Sequence, residues 1–161
     1  MDALLTELNA GFPDADQMAR LLIRLSVAMV LGAIIGFQRE QHGKPAGLRT
    51  HILVAMGCAL FVIGAVESGM SSEGVSRVIQ GLTTGIGFIG AGAILKLSQH
   101  REIQGLTTAA SIWATAAVGV AVGLGLLGLA VLSVILIWFV LAVLGYLEVR
   151  FNLSGEAPPD R

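Results

Sequence analysis

The chain has 161 residues, 55% hydrophobic and 13% charged, with a formal net charge of −1 and a mean hydropathy of +0.80. Soluble domains carry about 25% charged residues, so the composition points to an integral membrane protein with no room for a second large soluble domain. The charge balance offers no basic field for nucleic acid, and the lone cysteine, Cys58, excludes an intramolecular disulfide.

Residues 1–19 are acidic and polar and lack the basic-then-apolar order of a signal peptide. They are expected to be peripheral: Leu4, Leu5 and Leu8 share a helical face suited to the membrane surface. Pro13 and Asp14 mark a turn and a helix start. A transmembrane domain over 20–147 follows, with spans at about 20–37, 52–67, 78–97, 106–124 and 127–147, and then a cytoplasmic tail, 148–161. The fold class is an all-α membrane protein, a bundle of five transmembrane helices.

The first span carries Ala28, Gly32 and Gly36 at four-residue spacing, a stripe that lets a neighbour approach closely. Arg24 lies one turn inside it. An arginine there needs a partner or must reach back to the headgroups; Glu67, ending the second span on the same side, is the candidate partner, with Glu73 as an alternative. Between these spans lies a polar loop, Gln38–His51. Its Arg39, Lys44 and Arg49 are available to anions, lipid headgroups or an acidic partner, or they set topology alone. Glu40 lies beside them, Pro45 and Gly47 fix a turn, and Thr50 is placed to cap the second span.

The third span, VIQGLTTGIGFIGAGAILKL, holds five glycines and one basic residue. In water each glycine would cost a helix roughly 1 kcal/mol relative to alanine; in a bilayer small residues let backbones meet. At 100° per residue, Gly81, Gly85 and Gly92 share one face, and Thr83, Gly87 and Gly90 the opposite one. A helix that can be gripped on two faces is expected at the centre of the bundle. The fourth span carries Ala117, Ala121 and Gly125 on one stripe, with Thr115, Gly119 and Gly123 beside it. The fifth, rich in bulky residues, reads as the most lipid-exposed, with Trp138 and Tyr146 as depth anchors. IQGLTT occurs at 79–84 and again at 103–108; each copy is read as a glycine turn with a threonine helix cap.

Lysine and arginine concentrate in the 38–51 loop, the 96–105 loop and the tail. Positive-inside then puts the N-terminus outside and the C-terminus in the cytoplasm, in agreement with five spans. His42, His51 and His100 fall on the cytoplasmic side as solvated loop residues, without a ligand partner at metal-binding spacing. No Walker loop, HExxH or Ser/His/Asp set is present, and no charged residue is expected at a span midplane. The reading is non-enzymatic, with no cofactor and no metal. Spans one, three and four offer more small-residue faces than a five-helix monomer needs, which suggests a homo-oligomer, most simply a two-fold dimer.

Three runs, GAIIGFQREQHGKPAGLRTHILVAMG, SRVIQGLTTGIGFIGAGAIL and GLTTAASIWATAAVGVAVGLG, together resemble the MgtC/SapB family of bacterial inner-membrane proteins over about residues 20–145. The resemblance implies a five-span bundle with a cytoplasmic C-terminus and a role in adaptation to low magnesium and, in some pathogens, virulence. It also implies action on a membrane partner, the F-type ATP synthase in one case, or on ion balance. The motif positions it points to are Arg24, Arg39, Glu40, Lys44, Pro45, Gly47, Arg49, Thr50, Gly85, Gly87, Gly90, Gly92, Gly105, Thr108 and Trp113. Gln38 stands where the family often has Glu, and Thr107 where some virulence members have Asn. The chain is similar to a short, membrane-only branch without the ACT-like C-terminal domain. The rival expectation is a transporter or channel lined by Thr83, Thr84, Thr108, Ser111 and Thr115 between spans three and four.

Overall fold

The computed structural model describes residues 14–97, 102–144 and 150. The surface helix expected around Leu4–Leu8, His100, Tyr146 and the tail beyond residue 150 lie outside them. Within the described residues five α-helices follow in order: α1 (Ala15–Gln41), α2 (Leu48–Glu67), α3 (Ser72–Gly92), α4 (Leu106–Gly123) and α5 (Leu127–Phe139). Two three-residue strands, β1 (Leu95–Leu97) and β2 (Glu102–Gln104), pair antiparallel between α3 and α4. The last helix runs on as a π-helical turn, Val140–Leu144.

α1 starts where the sequence signals it. Asp14 is its N-cap, and its carboxylate accepts from the Gln17 N–H at 2.7 Å. At 27 residues α1 is about 40 Å long, longer than the hydrocarbon core alone requires. It continues through Gln38 and Arg39, which were expected in a loop; the connection to α2 is only residues 42–47. α1, α2 and α4 are long and apolar enough to cross a membrane, and α5 is an apolar helix of shorter length. Leu129, Leu132, Ile135, Leu136, Trp138 and Phe139 stand exposed on α5, the surface expected of a lipid-facing helix.

The bundle is built around α2. It packs along α1 on one side and α4 on the other, while α3 attaches to α4 and the edge of α2. The main core joins Ala28, Leu31 and Ile35 of α1 to Ala55, Ala59 and Ile63 of α2, Val118 and Val122 of α4, and Ala130 and Val134 of α5. Glycine sets these spacings. A Cβ on Gly32 would stand 2.7 Å from the His51 carbonyl oxygen, and one on Gly36 2.7 Å from the Leu48 Cα. From the other side a Cβ on Gly119 would collide with the Ala55 carbonyl, and one on Gly123 would lie 2.7 Å from the Val62 Cβ. The helix gripped on two faces is therefore α2.

The glycine-rich α3 is peripheral instead. Only Val75, Ile86 and Gly90 are buried in it, and a Cβ at Gly81, Gly85, Gly87 or Gly92 would meet nothing within 4 Å. Of its small-face glycines only Gly90 meets another helix, at Ala109 of α4. A groove of about 630 Å³ lies between α2 and α3, lined by Leu53, Gly57, Phe61, Gly81, Gly85 and Ile89 among others. α3 also ends earlier than the apolar run suggests, because Leu95–Leu97 pair with β2 rather than extend the helix.

The repeated hexapeptide shows how context decides. Its first copy lies within α3, where Thr83 and Thr84 donate to the carbonyls of Ile79 and Gln80 one turn back. Its second copy crosses from β2 into α4. There Gly105 adopts φ +92, and a Cβ would collide with the Ala93 carbonyl, so only glycine fits. Neither copy uses threonine as a helix cap, in contrast to the expectation.

Candidate functional site

At one end of the bundle the last turn of α1 meets the first turns of α2 and α4. Thr108, Ser111 and Thr115 fall at positions three, six and ten of α4, a spacing that keeps them on one helical face, and all three are buried. Thr115 donates to the Ser111 carbonyl at 2.8 Å and Ser111 to the Thr108 carbonyl at 2.8 Å. Ser111 and Thr115 thus bond back to their own helix, and the Thr108 hydroxyl oxygen faces α1.

Arg39 reaches this face from α1. Its Nη2 donates to Thr108 Oγ1 at 3.2 Å, and the side chain is only 3% exposed. His51 reaches it from α2 and is fully buried. Its Nδ1 lies 2.9 Å from the Gly47 carbonyl and its Nε2 3.2 Å from Ser111 Oγ. A carbonyl only accepts, so Nδ1 carries the proton; in the neutral ring Nε2 then accepts from the Ser111 hydroxyl. Ser111 has a single hydroxyl proton, so the Thr108 carbonyl at 2.8 Å and Nε2 at 3.2 Å compete for it. A continuous polar chain results: Arg39, Thr108, Ser111, His51, Gly47. It ties three helices together at one end. Two buried atoms of α1 beside it, Gln38 Oε1 and Arg39 Nε, have no partner.

The other expected site residues separate into three groups. Glu40 caps α2: its Oε2 accepts from the Leu48 N–H at 2.8 Å, a favourable place for a negative charge. Thr50 does not cap; the N-cap is Gly47, without a side-chain bond of its own. Lys44 and Arg49 are exposed on the connection and at the start of α2. Arg24 sits at the opposite end of the bundle, where Nη1 donates to the Gly123 carbonyl at 3.2 Å. It therefore binds the C-terminal end of α4, where a helix dipole favours a cation, rather than Glu67. Glu67 accepts from Gln17 Nε2, and Glu73 pairs with Arg77 within α3. Trp113 is 53% exposed.

The structure thus brings the candidates Arg39 and Thr108 together and adds His51 and Ser111. His51 was expected to be solvated in a loop; it is fully buried because α2 begins at Leu48 and carries it into the bundle. The hydroxyl spacing on α4 was the signal that could have located the site. Thr83 and Thr84 are exposed on α3, so the five hydroxyls do not form one lining. Among the described residues no three His, Cys, Asp or Glu side chains come together as a metal site would need.

A family model described as the MgtC family matches residues 25–150. The chain belongs to the MgtC family. Protein SrpB of Synechococcus elongatus is 47% identical over 125 residues, covering 71% of this chain and 68% of SrpB. YhiD of Escherichia coli K12, whose name carries magnesium transport as a provisional assignment, is 42% identical over 139 residues, covering 82% of this chain and 64% of YhiD. Protein MgtC of Salmonella typhimurium is 41% identical over 104 residues, 65% of this chain and 43% of MgtC. The matched part of the chain thus spans from 43% to 68% of these relatives' lengths. No solved structure gives a significant match. The MgtC-family segment contains every member of the polar chain, from Arg39 to Ser111.

Proposed function

We propose that this MgtC-family protein supports growth of a bacterium under magnesium limitation, non-enzymatically, by acting on a membrane partner or on ion balance. Family membership supports the magnesium setting. The observation that carries the mode of action is the buried Arg39–Thr108–Ser111–His51 chain lying under a connection with exposed Lys44 and Arg49. Such a surface suits an acidic partner, and the F-type ATP synthase named by the family resemblance is one to test. A virulence role belongs to the same proposal and is the first part to fall if the chain does not act in infection.

The proposed setting is the bacterial inner membrane, with the Arg39 end cytoplasmic, since Arg39, Lys44 and Arg49 all gather there. A homodimer is part of the same reading. Arg49→Ala tests the site: Arg49 is exposed at the start of α2 and away from the core contacts. It is expected to accumulate normally and fail to restore a deletion strain in low magnesium, with normal growth in high magnesium. Full rescue would reduce the connection to a topology signal. A deletion strain without a magnesium phenotype would remove the magnesium role.

A transporter is the second reading, favoured by the line of buried hydroxyls running from Thr108 to Thr115 along α4. Magnesium flux into liposomes holding the purified chain, abolished by Thr115→Val, would establish it; absence of flux leaves the partner reading.

A further inference from the structure

Arg39 is a buried, permanent cation. Removing such a charge from water costs far more than one neutral hydrogen bond returns. Its protein partner is a neutral hydroxyl, Thr108 Oγ1. Among the described residues no carboxylate joins it: the recorded ion pair is Arg77 with Glu73, on α3. Glu40, its neighbour in sequence, spends an oxygen on the Leu48 N–H.

Several described features near this turn add positive potential. α4 starts at Gly105 with no side-chain cap, so its first N–H groups stay available beside Thr108. Lys44 and Arg49 stand exposed on the adjoining connection. Against three cations, Arg39, Lys44 and Arg49, this turn sets one carboxylate, Glu40. Two atoms of the same buried turn are orphaned, Arg39 Nε and Gln38 Oε1. An N–H donor without an acceptor, on a side chain more than nine-tenths buried, asks for an acceptor from outside the protein.

We propose that this junction binds a phosphate oxyanion, with Arg39 as the anchoring cation and the uncapped first turn of α4 beside it. The guanidinium fork matches a tetrahedral oxyanion, and uncapped helix N-termini favour phosphate. The depth agrees: Arg39 is in the last turn of α1 and Thr108 in the first of α4, where a span leaves the hydrocarbon and phospholipid phosphates lie. The oxyanion comes either from a phospholipid headgroup or from free phosphate. This inference is independent of the magnesium role.

The test uses the full chain, purified in a phosphate-free sugar detergent, with thermal unfolding followed against two ligands. One is inorganic phosphate, with chloride at matched ionic strength as the control. The other is a short-chain phosphatidylglycerol. A saturable rise of several degrees is expected with at least one of them. A rise with inorganic phosphate identifies a free-anion site; a rise with the lipid alone identifies a headgroup site. Arg39→Met is expected to abolish the rise. If Arg39→Met does not accumulate, Lys44→Ala with Arg49→Ala carries the test, since both are exposed, and should weaken the half-saturating concentration several-fold. Wild-type protein that responds to neither ligand, or a response unchanged in these variants, overturns the proposal.

Discussion

At the scale of single residues the two ends of the bundle are held by different chemistry. Arg24 makes a cation-to-carbonyl contact with Gly123, the closing turn of α4. Arg24→Glu is therefore expected to destabilise the protein by about 1–2 kcal/mol, and adding Glu67→Arg should bring no recovery. Unfolding of the single and double variants in detergent measures this; a recovery above about 0.5 kcal/mol would restore the ion-pair reading. At the other end His51 satisfies a carbonyl on one side and a hydroxyl on the other. His51→Leu leaves Gly47 O and Ser111 Oγ without it, so a loss of about 1–3 kcal/mol is expected. Glu40→Ala, which uncovers the start of α2, should cost about 0.5–2 kcal/mol, while Glu40→Gln keeps an acceptor oxygen and should cost less.

At the scale of helices, glycine has two meanings in this chain. Gly32, Gly36, Gly119 and Gly123 are contact points on α2, where a methyl group has no space. Gly81, Gly85, Gly87 and Gly92 face open space. Gly119→Ala is thus expected to cost about 1–3 kcal/mol by overpacking, and Gly85→Ala to be neutral or mildly stabilising, because alanine is the better helix former. Expression level and unfolding of the pair check this. Equal losses would mean that α3 packs as tightly as the sequence stripe suggests. Gly85→Leu, which the stripe alone would mark as disruptive, should be tolerated by the isolated protomer.

For the whole molecule, the uncovered glycine face of α3 is the one left for a second copy, because Gly32 and Gly119 are spent inside the protomer. If the proposed dimer forms there, Gly81→Leu with Gly85→Leu should shift the detergent-solubilised mass to monomer. Gly119→Leu should instead lower the yield of folded protein. A wild-type chain that is monomeric in nanodiscs would end the dimer proposal. Orientation has its own measurement. With Cys58 replaced, single cysteines at Gln41 and Ser72 are treated with an impermeant maleimide on intact cells. Labelling at Ser72 alone is expected; labelling at Gln41 alone would invert the topology.

The sequence by itself determined that the chain lives in a membrane and roughly where its helices run. α4 was expected at 106–124 and stands at Leu106–Gly123; α1 was expected to begin near Asp14 and does. These are local matters, written in runs of apolar residues, caps and turn formers. Arg39 and Thr108 were candidates through their motifs, although not as partners. The tertiary structure alone decided that they meet across 69 positions and that His51 meets Ser111 across 60. It also gave the central place to α2 rather than to the glycine-rich α3. A small-residue stripe states that a close approach is possible, not which helix makes it. That choice depends on how each helix is rotated and on which distant helix lies beside it, and one sequence read along its length does not hold that information.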